Sequence, residues 1–311
     1  MLDRAARWSD DGAGISLAAN GMRVLTEPGL GDAMAAVSRT QYGGGVRTRG
    51  GRRLQRLEGH KLEREVGFAI TDVSRRDLRE LLLDALPEGV HDVGSPVVSA
   101  DPETGTVRRE DGTTLRADPV VPRRVPSVLR RHVEPVDSVT GGYTVVRAVV
   151  DDPGGVEGDF ELRWGAGLEF GCVRLVFATP QEAVLRHGIR VLPRPLATFV
   201  RGKLVLLGDA AHPVVPNLGQ GACLALEDAL TLVPYLQQDP ATALGRYDEV
   251  RVPVVKAARL AARMSLHLPA ALRDAPAAAP DRHGEGVDEG GALGPAAAQP
   301  FSPDSVTPRT R

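Results

Sequence analysis

The stretch KLVLLGDAAHPVVPNLGQGACLALEDA, Lys203 to Ala229, reads as a strand, a loop and a helix. After its lysine, Lys203–Leu207 is wholly apolar, so both faces of the strand should be covered, as in the parallel sheet of an α/β domain. Gly208 and Asp209 follow at once. In open α/β sheets ligands bind just beyond the carboxyl ends of strands, and an aspartate placed there can accept hydrogen bonds from sugar hydroxyls. Pro213 and Pro216 stiffen the loop, while Gly219 and Gly221 let backbone approach a planar ligand closely. The helix that begins near Gly219 turns its free N–H groups and positive dipole end toward whatever the loop holds.

Downstream, a second helical pattern covers residues 241–268. Residues 269–311 are rich in Ala, Pro and Gly and poor in large apolar groups. Such a segment cannot bury enough surface to offset its ordering entropy, and disorder is predicted for it. Upstream, residues 142–178 are strand-like through VVRAVV, FELRW and CVRLVFA, and residues 96–117 hold two or three short strands with a turn at Asp111-Gly112. Between them and the N-terminus lies the helix of RRDLRELLLDAL, with Leu78, Leu81, Leu82 and Leu86 on one face. Ser74 or Asp72 caps it, and Pro87 and Gly89 stop it. Residues 44–71 read as strands and turns that end in the apolar run Val66–Ile70, and residues 30–38 as a short helix. No internal repeat is seen.

The string GDAAH, then PxxGQG, then ALEDA, in that order, resembles the second FAD motif of the para-hydroxybenzoate hydroxylase-like flavoprotein monooxygenases, the FAD-dependent aromatic monooxygenase family. The resemblance implies a Rossmann-like FAD-binding α/β domain interleaved with a mainly antiparallel β-sheet substrate domain. The FAD-binding parts would be residues 1–40, 73–140 and 195–268, and the substrate-sheet parts residues 41–72 and 141–194. C-terminal helices and the disordered tail at 269–311 complete the chain. Gly208 and Asp209 would lie at the ribityl and pyrophosphate side of FAD, Pro216 beside the isoalloxazine, and the backbone of Leu218, Gly219, Gln220, Gly221 and Ala222 along its pyrimidine edge. Arg75 falls where the family reaches FAD from the start of a helix, and Asp3 where an acidic residue holds the adenosine ribose. Glu227 and Asp228 would organise the helix, and His212 would serve loop architecture rather than act as a general base.

The chain also departs from the family pattern. It lacks the opening strand–GxGxxG–helix unit that binds the FAD pyrophosphate. Pro122-Arg123-Arg124-Val125 stands where the family has an Asp-Gly motif, and the segments on either side of Arg174–Pro180 are nearly fused. The resemblance is therefore to an N-terminally truncated, internally shortened member whose Rossmann-like part is incomplete. It implies a flavoenzyme that uses NAD(P)H and O₂ to hydroxylate a small aromatic molecule through a flavin C4a-hydroperoxide. The alternative is a non-catalytic fragment or pseudoenzyme of that family that no longer holds FAD. No side chain need act as a nucleophile, so no catalytic residue is named.

The remaining composition narrows the choice. A length of 311 residues with 42% hydrophobic residues suits a sizeable core. The net charge of -2 gives no reason to expect a nucleic-acid partner. Cys172 and Cys223 form no CxxC pair, and no Cys/His spacing suits a metal, so a reducing cytoplasm is expected. No apolar stretch follows the charges of the first residues, and none approaches the length of a membrane span. The sequence leaves the substrate, the choice between NADH and NADPH and the oligomeric state open.

Overall fold

The structure is a computed structural model that describes residues 1–265 apart from 9–12, 123–128, 151–153, 155, 166–167 and 176–184. β1 (Gly14–Leu17) leads into α1 (Ala19–Thr26) and α2 (Gly31–Val37), the latter being the helix expected over 30–38. β2 (Ser38–Thr40), β3 (Gly44–Thr48), β4 (Arg53–Arg56), α3 (Gly59–Val66) and β5 (Thr71–Ser74) follow. β5 is the middle strand of a three-stranded antiparallel sheet in the order β1-β5-β2. Leu17, Met22, Leu25, Met34, Val73 and Leu81 close one core over it.

Two expectations for residues 44–71 are corrected. Residues 59–66 are helical, although strands and turns were expected there. Only Leu62 and Val66 mark an apolar stripe on α3, too short a pattern to announce a helix. α3 ends at Gly67, whose φ of +88° is the usual left-handed stop. The apolar run Val66–Ile70 lies outside any strand. The strand is the more polar Thr71–Ser74, buried as the central strand between β1 and β2.

α4 (Arg75–Asp84) begins where expected, and of the two candidate caps Ser74 is the one used: its Oγ accepts the Asp77 N–H at 3.0 Å. β6 (Val97–Asp101), β7 (Thr106–Arg109) and β8 (Thr114–Arg116) form the expected meander, with Asp111-Gly112 at its second turn. After α5 (Arg130–Val133) come β9 (Val139–Arg147), β10 (Phe160–Gly165), β11 (Leu168–Val173) and β12 (Leu185–Val191). β9 pairs with β12, and a four-stranded sheet runs β11-β10-β3-β4. The β3–β10 pair is parallel and joins chain segments more than a hundred residues apart. Gly44 permits it: a Cβ there would fall 1.9 Å from the Phe160 carbonyl oxygen.

β13 (Val200–Arg201), β14 (Leu204–Val205), α6 (Gly221–Gln238) and α7 (Pro240–Ser265) complete the described chain. The strand expected over Lys203–Leu207 is shorter than the apolar run, but Leu204, Val205 and Leu206 are fully buried. β13 flanks it on one side. On the other, Val120 makes a parallel bridge with Leu204, donating to the Lys203 carbonyl and accepting from Val205 N–H. Phe199, Tyr247, Val252 and Val255 pack the second core against this strand. α6 begins at Gly221, two residues later than read, after a 3-10 turn at Pro216–Leu218. No described helix is long and apolar enough to cross a membrane. The predicted tail at 269–311, the Arg123-Arg124 replacement and most of the fused stretch after Arg174 lie outside the described residues.

Candidate functional site

The loop after β14 is held from below by a buried carboxylate. Gly208, at φ +54°, turns the chain, and its N–H donates to Asp228 Oδ2 at 2.8 Å. His212 Nε2 meets the same oxygen at 2.6 Å, while Arg251 Nε donates to Oδ1 at 2.8 Å. Arg251 also donates to Glu227 Oε2 at 2.9 Å and to the Leu224 carbonyl at 3.1 Å. Asp228, His212 and Arg251 are 0%, 2% and 4% exposed, so the charges are desolvated together and each depends on the others. A carboxylate at Nε2 makes that nitrogen the donor. His212 is thus tied into the loop's architecture, and Asp228 and Glu227 join α6 to the loop, to α1 and to α7. Arg251, a charged residue inside the apolar stripe of α7, was not singled out from the sequence.

Above this clamp the chain presents backbone. Val215 leads into the turn at Pro216–Leu218, and Gly219 adopts φ +64° with its N–H on the Pro216 carbonyl. A Cβ at Gly219 would meet nothing within 4 Å, so open space lies over this backbone. The first helical hydrogen bond of α6 runs from Leu224 N–H to the Gln220 carbonyl. The amides of Gly221, Ala222 and Cys223 therefore precede the ladder. No side chain caps them and no acidic residue stands in the first turn. Such a donor set suits an anionic or carbonyl-rich edge. Asn20 donates to Gln220 Oε1 at 3.1 Å and to Glu227 Oε1 at 2.9 Å, which ties α1 to the same corner. Gly21 lets the two helices touch: a Cβ there would lie 2.8 Å from Cys223 Sγ. Burial pushes the Cys223 thiol up, in keeping with a packing role.

The other sequence-predicted residues come from separate elements. Asp209 stands exposed just past the strand end, and Leu218 is 42% exposed beside Gly219. Arg75 is exposed at the first position of α4. Arg147, on β9, is held below the ordinary arginine value by burial and then by the nearby charge of Arg75. Asp3 is buried after the parallel bridge between Leu2 and Asp92, and its Oδ1 accepts the Ala5 N–H at 2.9 Å.

One group of side chains escaped the sequence reading. Asn217 lies within the decisive string yet was passed over. Its Oδ1 accepts from Tyr143 Oη on β9 at 3.4 Å, and its Nδ2 donates to Glu169 Oε2 on β11 at 3.5 Å. Burial pushes the Tyr143 phenol up to about 12 and raises the Glu169 carboxyl. Strands from the sheet region thus reach the loop at its open side.

Comparison with known proteins gives the family and the fold. Residues 189–261 match the family model described as FAD binding domain. The chain is 30% identical over 303 residues to the aurachin C monooxygenase/isomerase of Stigmatella aurantiaca, covering 81% of this chain and 78% of that protein. It is 33% identical over 332 residues to the 3-amino-4-hydroxybenzoate 2-monooxygenase of Streptomyces cremeus, covering 86% and 82% respectively. The crystal structure of Klebsiella pneumoniae HpxO complexed with FAD and uric acid superposes with a TM-score of 0.78 at 23% identity, over 86% of this chain and 81% of that one.

Proposed function

The chain belongs to the FAD-dependent aromatic monooxygenases, and from that premise we propose that its flavin seat is the loop Gly208–Ala222 above the Asp228 clamp. The observation that carries this reading is the uncapped start of α6 beside the open backbone of Gly219. Leu218, Gly219, Gln220, Gly221 and Ala222 would line the pyrimidine edge, and the helix N-terminus would favour the negative charge of a reduced flavin there. Pro216 would lie beside the ring system. Gly208 and Asp209 would face the ribityl and pyrophosphate side. Arg75 would reach the cofactor from the start of α4, and Asp3 would hold the ribose. The substrate parts would be residues 41–72 and 141–194, and the FAD parts 1–40, 73–140 and 195–268.

Bound FAD, reduced by NAD(P)H, would activate O₂ and deliver one oxygen atom to a small aromatic molecule. The chain's own residues bind, orient and exclude water. Asp228 keeps Gly208 and His212 in register through a desolvated network, so the donors above it are preorganised. We place the reaction in the cytoplasm, where NAD(P)H is at hand.

The test is flavin retention. Residues 1–311 are purified, mixed with FAD, freed of excess flavin by gel filtration and scanned in the visible range. A yellow protein peak, with NAD(P)H oxidation stimulated by aromatic compounds, is the expected result. A cooperatively melting chain that stays colourless would overturn the proposal and favour the non-catalytic alternative.

A further inference from the structure

We propose that the outward face of α7 joins two copies of this chain as an antiparallel helix pair about a twofold axis. The inference stands apart from the flavin reading, which uses only the inward face of that helix.

Tyr247, Arg251, Val255 and Arg259 bury the inward face of α7 against the rest of the chain. The outward face repeats an apolar residue at steps of three and four, at Val250, Pro253, Ala257, Leu260 and Met264, and all five are exposed. Val254 and Ala261 widen the stripe on one side. Leu260 and Met264 are 62% and 63% exposed, and Val250 and Val254 44% each. Single apolar residues on a surface are ordinary, but a continuous row of them marks a contact. The alternation of three and four is the spacing of a seam between two helices. From Val250 to Met264 the seam runs about 21 Å along the helix. Pro253 and Ala257 are small, so two such helices can approach closely at its middle.

Charge selects both the partner and its direction. Glu249, Lys256 and Arg263 stand seven residues apart along one flank of the stripe, all exposed, while Val254 and Ala261 line the other flank. A parallel pair would set each charged flank against an apolar one. An antiparallel pair brings like flanks together. Glu249 then falls beside Arg263 of the second copy, and the twofold axis repeats that pair at the far end. Lys256 meets its counterpart near the axis, where its long stem lets the ammonium turn to water. The same register sets Val250 against Leu260 and Pro253 against Ala257. It brings Met264 over Arg246, whose guanidinium rests 4.3 Å from the Tyr235 ring centre. Residues 266–311, which follow α7 directly, hold few large apolar groups with which to cover the stripe. A seam this short makes a weak, reversible dimer rather than an obligate one.

The test is sedimentation velocity of the full chain, residues 1–311, over about 1 to 100 µM, with melting temperature and flavin content recorded alongside. A reversible monomer–dimer equilibrium is the expected result. Leu260→Asp changes an exposed position and should leave melting and flavin content as they are, with the protein monomeric throughout. Glu249→Arg and Arg263→Glu should each raise the dimer dissociation constant about tenfold, because the axis turns two attractions into two repulsions. The double exchange should restore it. A wild type that stays monomeric overturns the proposal, whether its stripe is covered by residues 266–311 or by added vesicles of anionic lipid. A dimer that survives Leu260→Asp also overturns it and moves the contact elsewhere, as to the exposed Leu168 and Phe170 on the edge strand β11. Charge exchanges that fail to compensate one another overturn the antiparallel register.

Discussion

Asp72 shows what a single residue costs and what its identity conceals. It lies fully buried in β5, where its carboxylate accepts from Ser16 Oγ at 2.5 Å and from Gln41 Nε2 at 2.7 Å. Loss of water pushes its carboxyl up to about 6, against the opposing pull of those two hydrogen bonds. The folded form thus holds this proton more tightly than the unfolded chain. The stability that follows is fully present below the unfolded value of 3.8 and is lost as pH rises through about 6. Asp72→Asn removes the titration. Between pH 4 and pH 7.5 the wild type should lose on the order of 2–3 kcal/mol relative to the variant. Paired thermal melts at the two pH values check this, and parallel pH slopes would refute it. Sequence placed Asp72 beside Ser74 as an equal candidate cap, since both side chains accept from a helix N-terminus. Only their burial and partners separate them.

At the scale of elements, α4 was legible because its signals agree: an N-cap, a leucine stripe and a Pro-Gly stop. Ser74→Ala should cost about 1 kcal/mol through loss of the Asp77 N–H acceptor. Urea titration would register it as a lower midpoint at unchanged slope. An unchanged midpoint would mean the cap is idle. α3 was illegible because two apolar positions do not make a period. β5 was missed for the opposite reason: Thr71, Asp72 and Ser74 look like loop residues, and their burial is imposed by β1 and β2 on either side. β14 was read correctly as buried, but its extent depends on where Val120 and Val200 come to meet it.

For the whole molecule, the Asp228 network is the joint between loop, α6 and α7. Asp228→Asn leaves buried Arg251 with Glu227 as its remaining charge partner and takes the charge from the acceptor shared by Gly208 and His212, a change at the lower end of about 3–5 kcal/mol. The variant should melt roughly 10 °C lower and lose bound FAD in proportion. A variant with wild-type melting and flavin content would show the network to be dispensable. The amino-acid sequence by itself determined the strand–loop–helix at Lys203–Ala229, the glycines that open its backbone, the cap and stripe of α4, and the family to which these motifs point. All are written within a few residues of one another, where backbone preference and hydrogen-bond reach act locally. Tertiary structure alone decided that Arg251 answers Asp228, that β3 pairs with β10, and that Tyr143 and Glu169 converge on Asn217. Those pairings join segments from 23 to more than a hundred residues apart. No local pattern encodes which distant segment will satisfy a buried charge; that is settled when the whole chain excludes water at once.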